Sequence, residues 1–176
     1  SILSNGDIGI VGTTTFSTRG SENLFIGRNV GVVNTTGANN TFVGQGAGRI
    51  NTTGGANSAF GVGALSKAVS ADSNTAFGYY TLGNTTVGAN SAFGAQAMQN
   101  NTSGTQNTAL GLLALYSNGT GIENVAAGYY AGFSNSTGQY NSFFGKFSGY
   151  NNTTGFSNTF LGWYTNTLSG SMSSST

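Results

Sequence analysis

The side chains that most often carry out chemistry in proteins are rare in this sequence. It contains no Cys and no His, which excludes disulfides, thiolate nucleophiles, imidazole bases and the usual zinc ligands. Its acids are Asp7, Glu22, Asp72 and Glu123, which lie far apart along the chain. A glycosidase needs a carboxylate pair and a calcium site needs several oxygen ligands together. We therefore expect no catalysis, no metal and no other cofactor.

Basic residues are equally sparse. Arg19, Arg28, Arg49, Lys67 and Lys146 give a formal net charge of +1, and only 5% of the residues are charged. That is too little positive charge to bind a nucleic-acid backbone. No apolar run approaches the ~20 residues that a membrane-spanning helix needs. We therefore expect neither nucleic-acid binding nor membrane insertion of this segment.

A repeat organises most of the sequence, in which more than half of all residues are Gly, Asn, Thr or Ser. The segment Asn-Leu-Phe-Ile-Gly at 23–27 is the first of nine related copies, which are spaced by 17 residues with one interval of 16. Such a period is too short for helical repeats and suits one flattened coil, strand–turn–strand–turn. We predict an all-β fold, a parallel β-roll or β-solenoid of about nine 16–17-residue coils. The last residues of the nine copies, here named the repeat glycines, are Gly27, Gly44, Gly61, Gly78, Gly94, Gly111, Gly128, Gly145 and Gly162.

The predicted β-roll spans residues 23–170 and has a segment on either side. Residues 1–22 contain an alternating stretch, which we interpret as an N-terminal strand or cap over the open edge of the first coil. The alternative is a strand that joins a neighbouring subunit. Residues 171–176 form a C-terminal tail.

Equivalent positions in successive coils form columns along the predicted rod. Because neighbouring residues on a strand point to opposite faces, the residues one and two before each repeat glycine cannot share a face. We predict that the small residues fill the thin interior and the large ones face outward; the alternative puts the large residues in a monomeric core. The outer column is Ile26, Val43, Phe60, Phe77, Phe93, Leu110, Ala127, Phe144 and Leu161. The inner column is Phe25, Phe42, Ala59, Ala76, Ala92, Ala109, Ala126, Phe143 and Phe160, and the small column is Val30, Ala47, Ala64, Thr81, Ala97, Ala114, Ala131, Ser148 and Thr165. An outward apolar stripe on nine coils predicts self-association of several chains.

A second motif, Asn-Thr-Thr-Gly and its variants, lies halfway through most units. It matches the N-glycosylation acceptor, so it could carry a row of glycans in a eukaryotic secreted chain. We favour a structural role, because Asn and Thr bond to local backbone in turns and stacked Asn can form a ladder. A flat Thr array that orders ice is a further alternative. One copy, at 68–71, is degenerate, and the copy at 84–87 starts one residue early, which would explain the interval of 16. The acceptor residues are Asn34, Asn51, Asn84, Asn101, Asn118, Asn135 and Asn152.

Aromatic pairs directly after three repeat glycines are the candidates for surface recognition. Tyr79-Tyr80, Tyr129-Tyr130 and Trp163-Tyr164 would recur at one angular position of the rod. Tyr and Trp offer rigid, amphipathic contact area, so Tyr80, Tyr130, Trp163 and Tyr164 could bind a sugar or protein ligand. The alternative is that one member of each pair packs inward and the other lies on the roll.

The unit Asn-Ser/Thr-Ala-Phe/Leu-Gly, joined to a second segment of small residues, resembles the head repeat of the YadA-like trimeric autotransporter adhesins. It is also similar to repeats in phage tail fibres and other surface fibres, and the resemblance covers about residues 23–170. It implies a left-handed roll, three of which wind side by side, and a role in attachment outside the cell. The trimer interface would then contain Phe60, Phe77, Phe93, Leu110, Phe144 and Leu161.

Three functional hypotheses follow. The leading one is an extracellular fibrous attachment protein, at a cell or virion surface, which binds a host-surface glycan or protein or serves as the shaft. The alternatives are a self-assembling subunit of an extracellular filament, joined end to end, and a monomeric ice-binding solenoid. The mass in solution separates a monomer from a trimer.

Overall fold

The computed structural model describes residues 8–9, 15–17 and 20–166. Within them, eleven short strands form one sheet in chain order. The last nine strands are all parallel, and each pairs in register with the next, as Phe60 does with Phe77. The prediction of a parallel β-solenoid is confirmed: nine parallel strands stack in about eight turns, with no helix among the described residues. The strands are β1 (Ile8–Gly9), β2 (Thr15–Ser17), β3 (Leu24–Gly27), β4 (Thr41–Val43), β5 (Ser58–Phe60), β6 (Thr75–Phe77), β7 (Ser91–Phe93), β8 (Thr108–Leu110), β9 (Val125–Ala127), β10 (Ser142–Phe144) and β11 (Thr159–Leu161).

Two strands precede the coils. β1 pairs antiparallel with β2, and β2 pairs antiparallel with β3, the strand of the first coil. β2 therefore occupies the sheet edge that the first coil would otherwise leave open. Most of segment 1–22, residues 167–170 of the predicted roll and the whole tail at 171–176 lie outside the described residues.

Each coil contains one strand rather than the two we predicted. After the repeat glycine the chain runs through turns, because the second and fourth residues that follow adopt left-handed backbone, as Tyr80 (φ 50°) and Leu82 (φ 49°) do. A third left-handed residue precedes the strand, for example Ala89 (φ 60°). These corners close the coil within 17 residues, and the stacked neighbours hold even non-glycine residues in this otherwise unfavourable region.

The interior is filled by the inner and small columns, as predicted. Every residue of the inner column is buried, and so is every residue of the small column except Thr165, which is half-buried. The outer column points away from this core, so the alternative that places the outer column inside and the alanines outside is wrong. The strand patterns show the alternation directly, with the middle residue of each of β4–β11 buried between two more accessible ones.

Most coils accommodate one large side chain in the interior, and it comes from either of two positions. The facing column, four residues after the repeat glycine, is Gly31, Gly48, Leu65, Leu82, Met98, Leu115, Gly132, Gly149 and Asn166. Where the inner column has Phe, the facing residue is Gly: an added Cβ at Gly31 would lie 2.6 Å from Cδ2 of the Phe25 ring. Where the inner column has Ala, Leu or Met fills the same space from the other side. There are two exceptions: in the coil of Ala126 and Gly132, Phe143 of the next coil contacts the gap, and in the last coil the facing position of Phe160 holds Asn166.

A ladder of buried Asn side chains runs along the coils at the residue before each strand. Asn57 is typical: its backbone N and its Nδ2 donate to Asn40 Oδ1 at 3.0 and 3.1 Å, and Nδ2 also donates to Ala71 O at 2.7 Å. Each amide thus joins its own coil to the coil before and to the turn of the coil after. The first Asn column is Asn23, Asn40, Asn57, Asn74, Asn90, Asn107, Asn124, Asn141 and Asn158.

The Asn of the second motif forms another buried ladder, which is interrupted. Asn118 Nδ2 donates to Asn101 Oδ1 at 3.0 Å and to Gly121 O, three residues on, at 3.0 Å. In two consecutive coils Ala68 and Thr85 replace the Asn, so Asn51 Oδ1 is buried without a hydrogen-bond partner. The second Asn column is Asn34, Asn51, Asn101, Asn118, Asn135 and Asn152.

The 16-residue coil differs from our prediction. Thr85, not Asn84, occupies the Asn position, because Asn101 Nδ2 donates to Thr85 Oγ1 at 3.2 Å. Val87 O then accepts from Asn74 Nδ2 at 3.0 Å, as the motif's glycine oxygen does elsewhere. The motif does not start early; the coil lacks one residue between Thr86 and Val87.

Candidate functional site

The outward surface of the parallel strands carries no charge, and it combines an apolar row with a row that is mostly Ser and Thr. Its two exposed rows are the outer column and the residues two positions earlier, which are Leu24, Thr41, Ser58, Thr75, Ser91, Thr108, Val125, Ser142 and Thr159. We name these rows together the outer sheet face. At ~4.8 Å between strands and ~3.3 Å per residue, nine strands make it ~43 Å long and ~10 Å wide. Its area is ~400 Å², of which the apolar outer column covers about half.

Stacked rings make this face continuous. The ring centroids of Phe60 and Phe77 are 4.4 Å apart and those of Phe77 and Phe93 are 5.1 Å apart, with both pairs 12° from parallel. Phe60 and Phe77 are half-buried by their neighbours, while Phe93, Leu110, Phe144 and Leu161 are exposed. The six residues predicted for an interface therefore lie in one row along the surface of the chain.

The aromatic pairs lie on the corner that follows the repeat glycines, and their surroundings differ from coil to coil. Tyr130 packs in a cluster with Phe133 and Phe147, at centroid distances of 4.9 and 5.5 Å. Partial desolvation by these rings, together with the hydroxyl of Tyr129, raises the pKa of Tyr130 above its ordinary value. Trp163, by contrast, is 73% exposed.

Part of this cluster was not predicted from the sequence. Tyr116, Phe133 and Tyr150 stack in a separate row, nearly parallel, with centroid distances of 5.2 and 5.1 Å. Their spacing of 17 residues was the signal that could have found them. Lys146 Nζ lies 5.3 Å from the Phe147 ring centroid and adds a cation–π contact.

Tyr80 belongs to a different environment. It lines a groove of about 350 Å³ together with Arg49, Lys67 and Gln45. We name it the Gly46–Gly63 groove, because these two residues occupy the positions that carry Tyr80 and Tyr130 in later coils. The prediction that Tyr80 and Tyr130 lie in one column holds geometrically, yet one lines a polar groove and the other an aromatic cluster.

The glycan alternative for the Asn-Thr-Thr motif does not fit six of its seven acceptors in the folded chain. The acceptor Asn residues other than Asn84 are buried, and Nδ2 atoms that would carry the sugar donate within the ladder, as in Asn118. Asn84 is half-buried, and its Nδ2 donates to Asn100 Oδ1 at 2.9 Å. The structural interpretation, a turn and a ladder, is confirmed.

The Thr row of the same motif gives no support to ice binding. Thr35, Thr52 and Thr102 donate their hydroxyl protons to backbone oxygens of the next coil at 2.9–3.1 Å. Val69 and Gly119 interrupt the row. The hydroxyls are thus engaged in holding coils together.

No family model, curated protein sequence or solved structure matches this chain. The described ranges contain no helix that could cross a membrane. In the same ranges no three acidic side chains gather where they could hold a metal ion. The candidate sites are therefore the outer sheet face and the corner with the groove and the aromatic cluster.

Proposed function

We propose that this chain is a segment of an extracellular attachment fibre, in which three copies pack side by side through the outer sheet face. The observation that carries the proposal is the uncharged outward surface of nine strands, with the apolar outer column running along its whole length. A partner with charged groups would leave them desolvated and unpaired against it, at a cost in free energy. The same face of another copy has no charge to bury.

The repeat makes a copy of this chain a particularly good partner. Coils recur at nearly constant spacing, so two rods in parallel register place equivalent rows against each other along their whole length. A stable interface buries ~800 Å² per partner. The outer sheet face alone, at ~400 Å², provides about half of this area, and in a trimer each chain uses it against two neighbours.

A rod of this kind suits attachment. Identical coils present the same surface many times, so weak contacts add through multivalency. The resemblance to adhesin head repeats and phage fibre repeats supports the same assignment. Side chains on the corner after the repeat glycines remain available outside such a trimer axis.

The mass in solution tests the proposal. Light scattering should give about three times the 17.8 kDa of one chain. Phe77→Asp with Phe93→Asp should produce monomer or aggregate, because three pairs of carboxylates cannot share a dry axis. Tyr140→Asp with Phe156→Asp is the matched control, since both side chains are exposed on another corner.

Two results would contradict the proposal. The first is a Phe77→Asp, Phe93→Asp variant that stays trimeric. The second is a wild-type monomer. Long polymers that persist in this variant would favour the end-to-end filament instead.

A further inference from the structure

The Gly46–Gly63 groove arises from missing side chains. In the second position after the repeat glycine most coils carry a side chain, but two consecutive coils have Gly46 and Gly63. A Cβ added at Gly46 would meet nothing within 4 Å, so the space above its backbone is open. At Gly63 an added Cβ would lie 2.9 Å from Tyr80 Cε1, so the Tyr80 ring covers this glycine and bounds the groove.

Two cations line the groove and no carboxylate does. Arg49 and Lys67 come from consecutive coils, and Gln45, Asn29 and Ser66 add amide and hydroxyl groups. The described acids lie elsewhere on the coil: Glu22 and Glu123 directly precede the first Asn column, and Asp72 is one residue further away. In a chain with 5% charged residues, this groove is a local concentration of positive charge.

The combination points to a specific ligand chemistry. An Arg guanidinium binds a carboxylate or sulfate through two parallel hydrogen bonds, and a nearby ammonium adds to the attraction. A Tyr ring presents a flat, amphipathic surface on which the C–H face of a sugar ring can stack. Amides and a hydroxyl suit the sugar hydroxyls. The volume of about 350 Å³ lies at the small end of ligand sites and suits one or two sugar rings.

We propose that the Gly46–Gly63 groove binds an anionic sugar, with Arg49 and Lys67 on the acidic group and Tyr80 against the ring. This inference deepens the proposed function, because it gives the attachment fibre a ligand class. It rests on the fibre assignment for its biological role, but the binding chemistry does not require a trimer.

Surface plasmon resonance on the full chain tests the proposal. The surfaces carry polyacrylamide substituted with glucuronic acid, with glucose 6-sulfate or with glucose, at physiological ionic strength. We expect roughly tenfold tighter binding to at least one anionic polymer than to the glucose polymer. The two anionic polymers show which acidic group the groove prefers.

Variants locate the site. Arg49→Gln with Lys67→Gln removes both cations, and Gly46→Asn fills the groove with a residue that tolerates left-handed backbone. Each should weaken binding to the preferred polymer roughly tenfold or more. The matched controls are Arg28→Gln with Lys146→Gln, which removes the same charge outside the groove, and Gln96→Asn, which alters the same column two coils beyond Gly63. Both controls should bind like wild type.

Each contrary outcome overturns the inference. Binding to the glucose polymer as tight as to the anionic polymers would show that the cations play no role in recognition. Equal loss in the Arg28→Gln, Lys146→Gln control would mean that only net charge matters. Undiminished binding by the groove variants would place binding elsewhere. Light scattering on the same samples separates this result from the fate of the fibre: a trimer that ignores anionic sugars refutes only the inference, and a monomer that binds them refutes only the trimeric fibre.

Discussion

The exchange of large side chains between the inner column and the facing column makes a quantitative prediction. In the coil of Ala59 and Leu65, the large residue comes from the facing side, and both residues are fully buried. Leu65→Gly alone removes a buried isobutyl group, which typically costs about 3–5 kcal/mol. Relief of backbone strain offsets about 1 kcal/mol of this loss, because Leu65 has φ 51°, which glycine adopts without strain. The expected loss in the free energy of unfolding is therefore about 2–4 kcal/mol.

The compensating change is Ala59→Phe. Alone it forces a ring into the space of Leu65 and should cost about 1–3 kcal/mol or more. Combined with Leu65→Gly it reproduces the arrangement of the preceding coil, where Phe42 packs over Gly48. The new ring would also extend the stack of Phe25 and Phe42, whose centroids are 5.1 Å apart. We expect the double variant to be within about 1 kcal/mol of wild type, because such volume-conserving changes are tolerated.

Urea unfolding followed by circular dichroism measures all four proteins. The coupling energy should be about 2 kcal/mol or more, at the upper end for residues in contact. The matched control combines Leu65→Gly with Ala109→Phe, three coils away, and should be additive. If Ala59→Phe and Leu65→Gly are also additive, the two columns do not share one interior space and our description of the core is wrong.

Three further predictions address the ladders, the corners and the aromatic cluster. Ala68→Asn with Ala71→Gly should raise the free energy of unfolding by about 1 kcal/mol, because the new Nδ2 reaches the unpaired Asn51 Oδ1. Ala68→Asn alone should not raise it, since the Ala71 Cβ occupies the space that the new amide oxygen needs. A gain in stability from the single change would contradict this. Gly61→Ala should lower the melting temperature more than Gly46→Ala, because a Cβ at Gly61 clashes with the backbone of the next coil and one at Gly46 meets open space; equal melting temperatures would refute the placement. The raised pKa of Tyr130 stabilises the fold while the phenol is neutral, so stability should fall as pH rises past 10.0, and Tyr130→Phe should reduce that fall when denaturation is measured against pH.

Much of the fold followed from the sequence because the repeat is regular. A 17-residue period, columns of alternating size and corner glycines predicted the parallel solenoid and its buried alanines. The repeat glycines were recognisable for the same reason: Gly61 and Gly94 have φ 133°, and a Cβ there would meet the next repeat glycine. The pairing of Phe25 with Gly31 could also have been found, since the same exchange recurs six residues apart in most coils.

Other features required the structure. Leu65, Leu82 and Met98 adopt left-handed backbone, which Leu and Met disfavour intrinsically. Stacking on neighbouring coils overrides that preference. This is why the predicted second strand is absent. The Gly46–Gly63 groove could not be predicted, because those turns bring Arg49 and Lys67 to the same groove as Tyr80 and the sequence does not reveal the turns. The trimer interface, the ligand and the extracellular location stay predictions.

The 16-residue coil shows where the length of a coil is free to change. One residue is missing between Thr86 and Val87, yet Thr86 N still donates to Thr102 O at 3.1 Å and β6 and β7 keep full register. The position that is skipped corresponds to Ser103 of the next coil, which is exposed. If a deletion at this corner leaves the strand pairing and the first Asn ladder in place, an insertion there should do so too. The corner is therefore the natural place to graft a foreign peptide loop, and a rod of stacked coils would display one such epitope per coil at a fixed spacing.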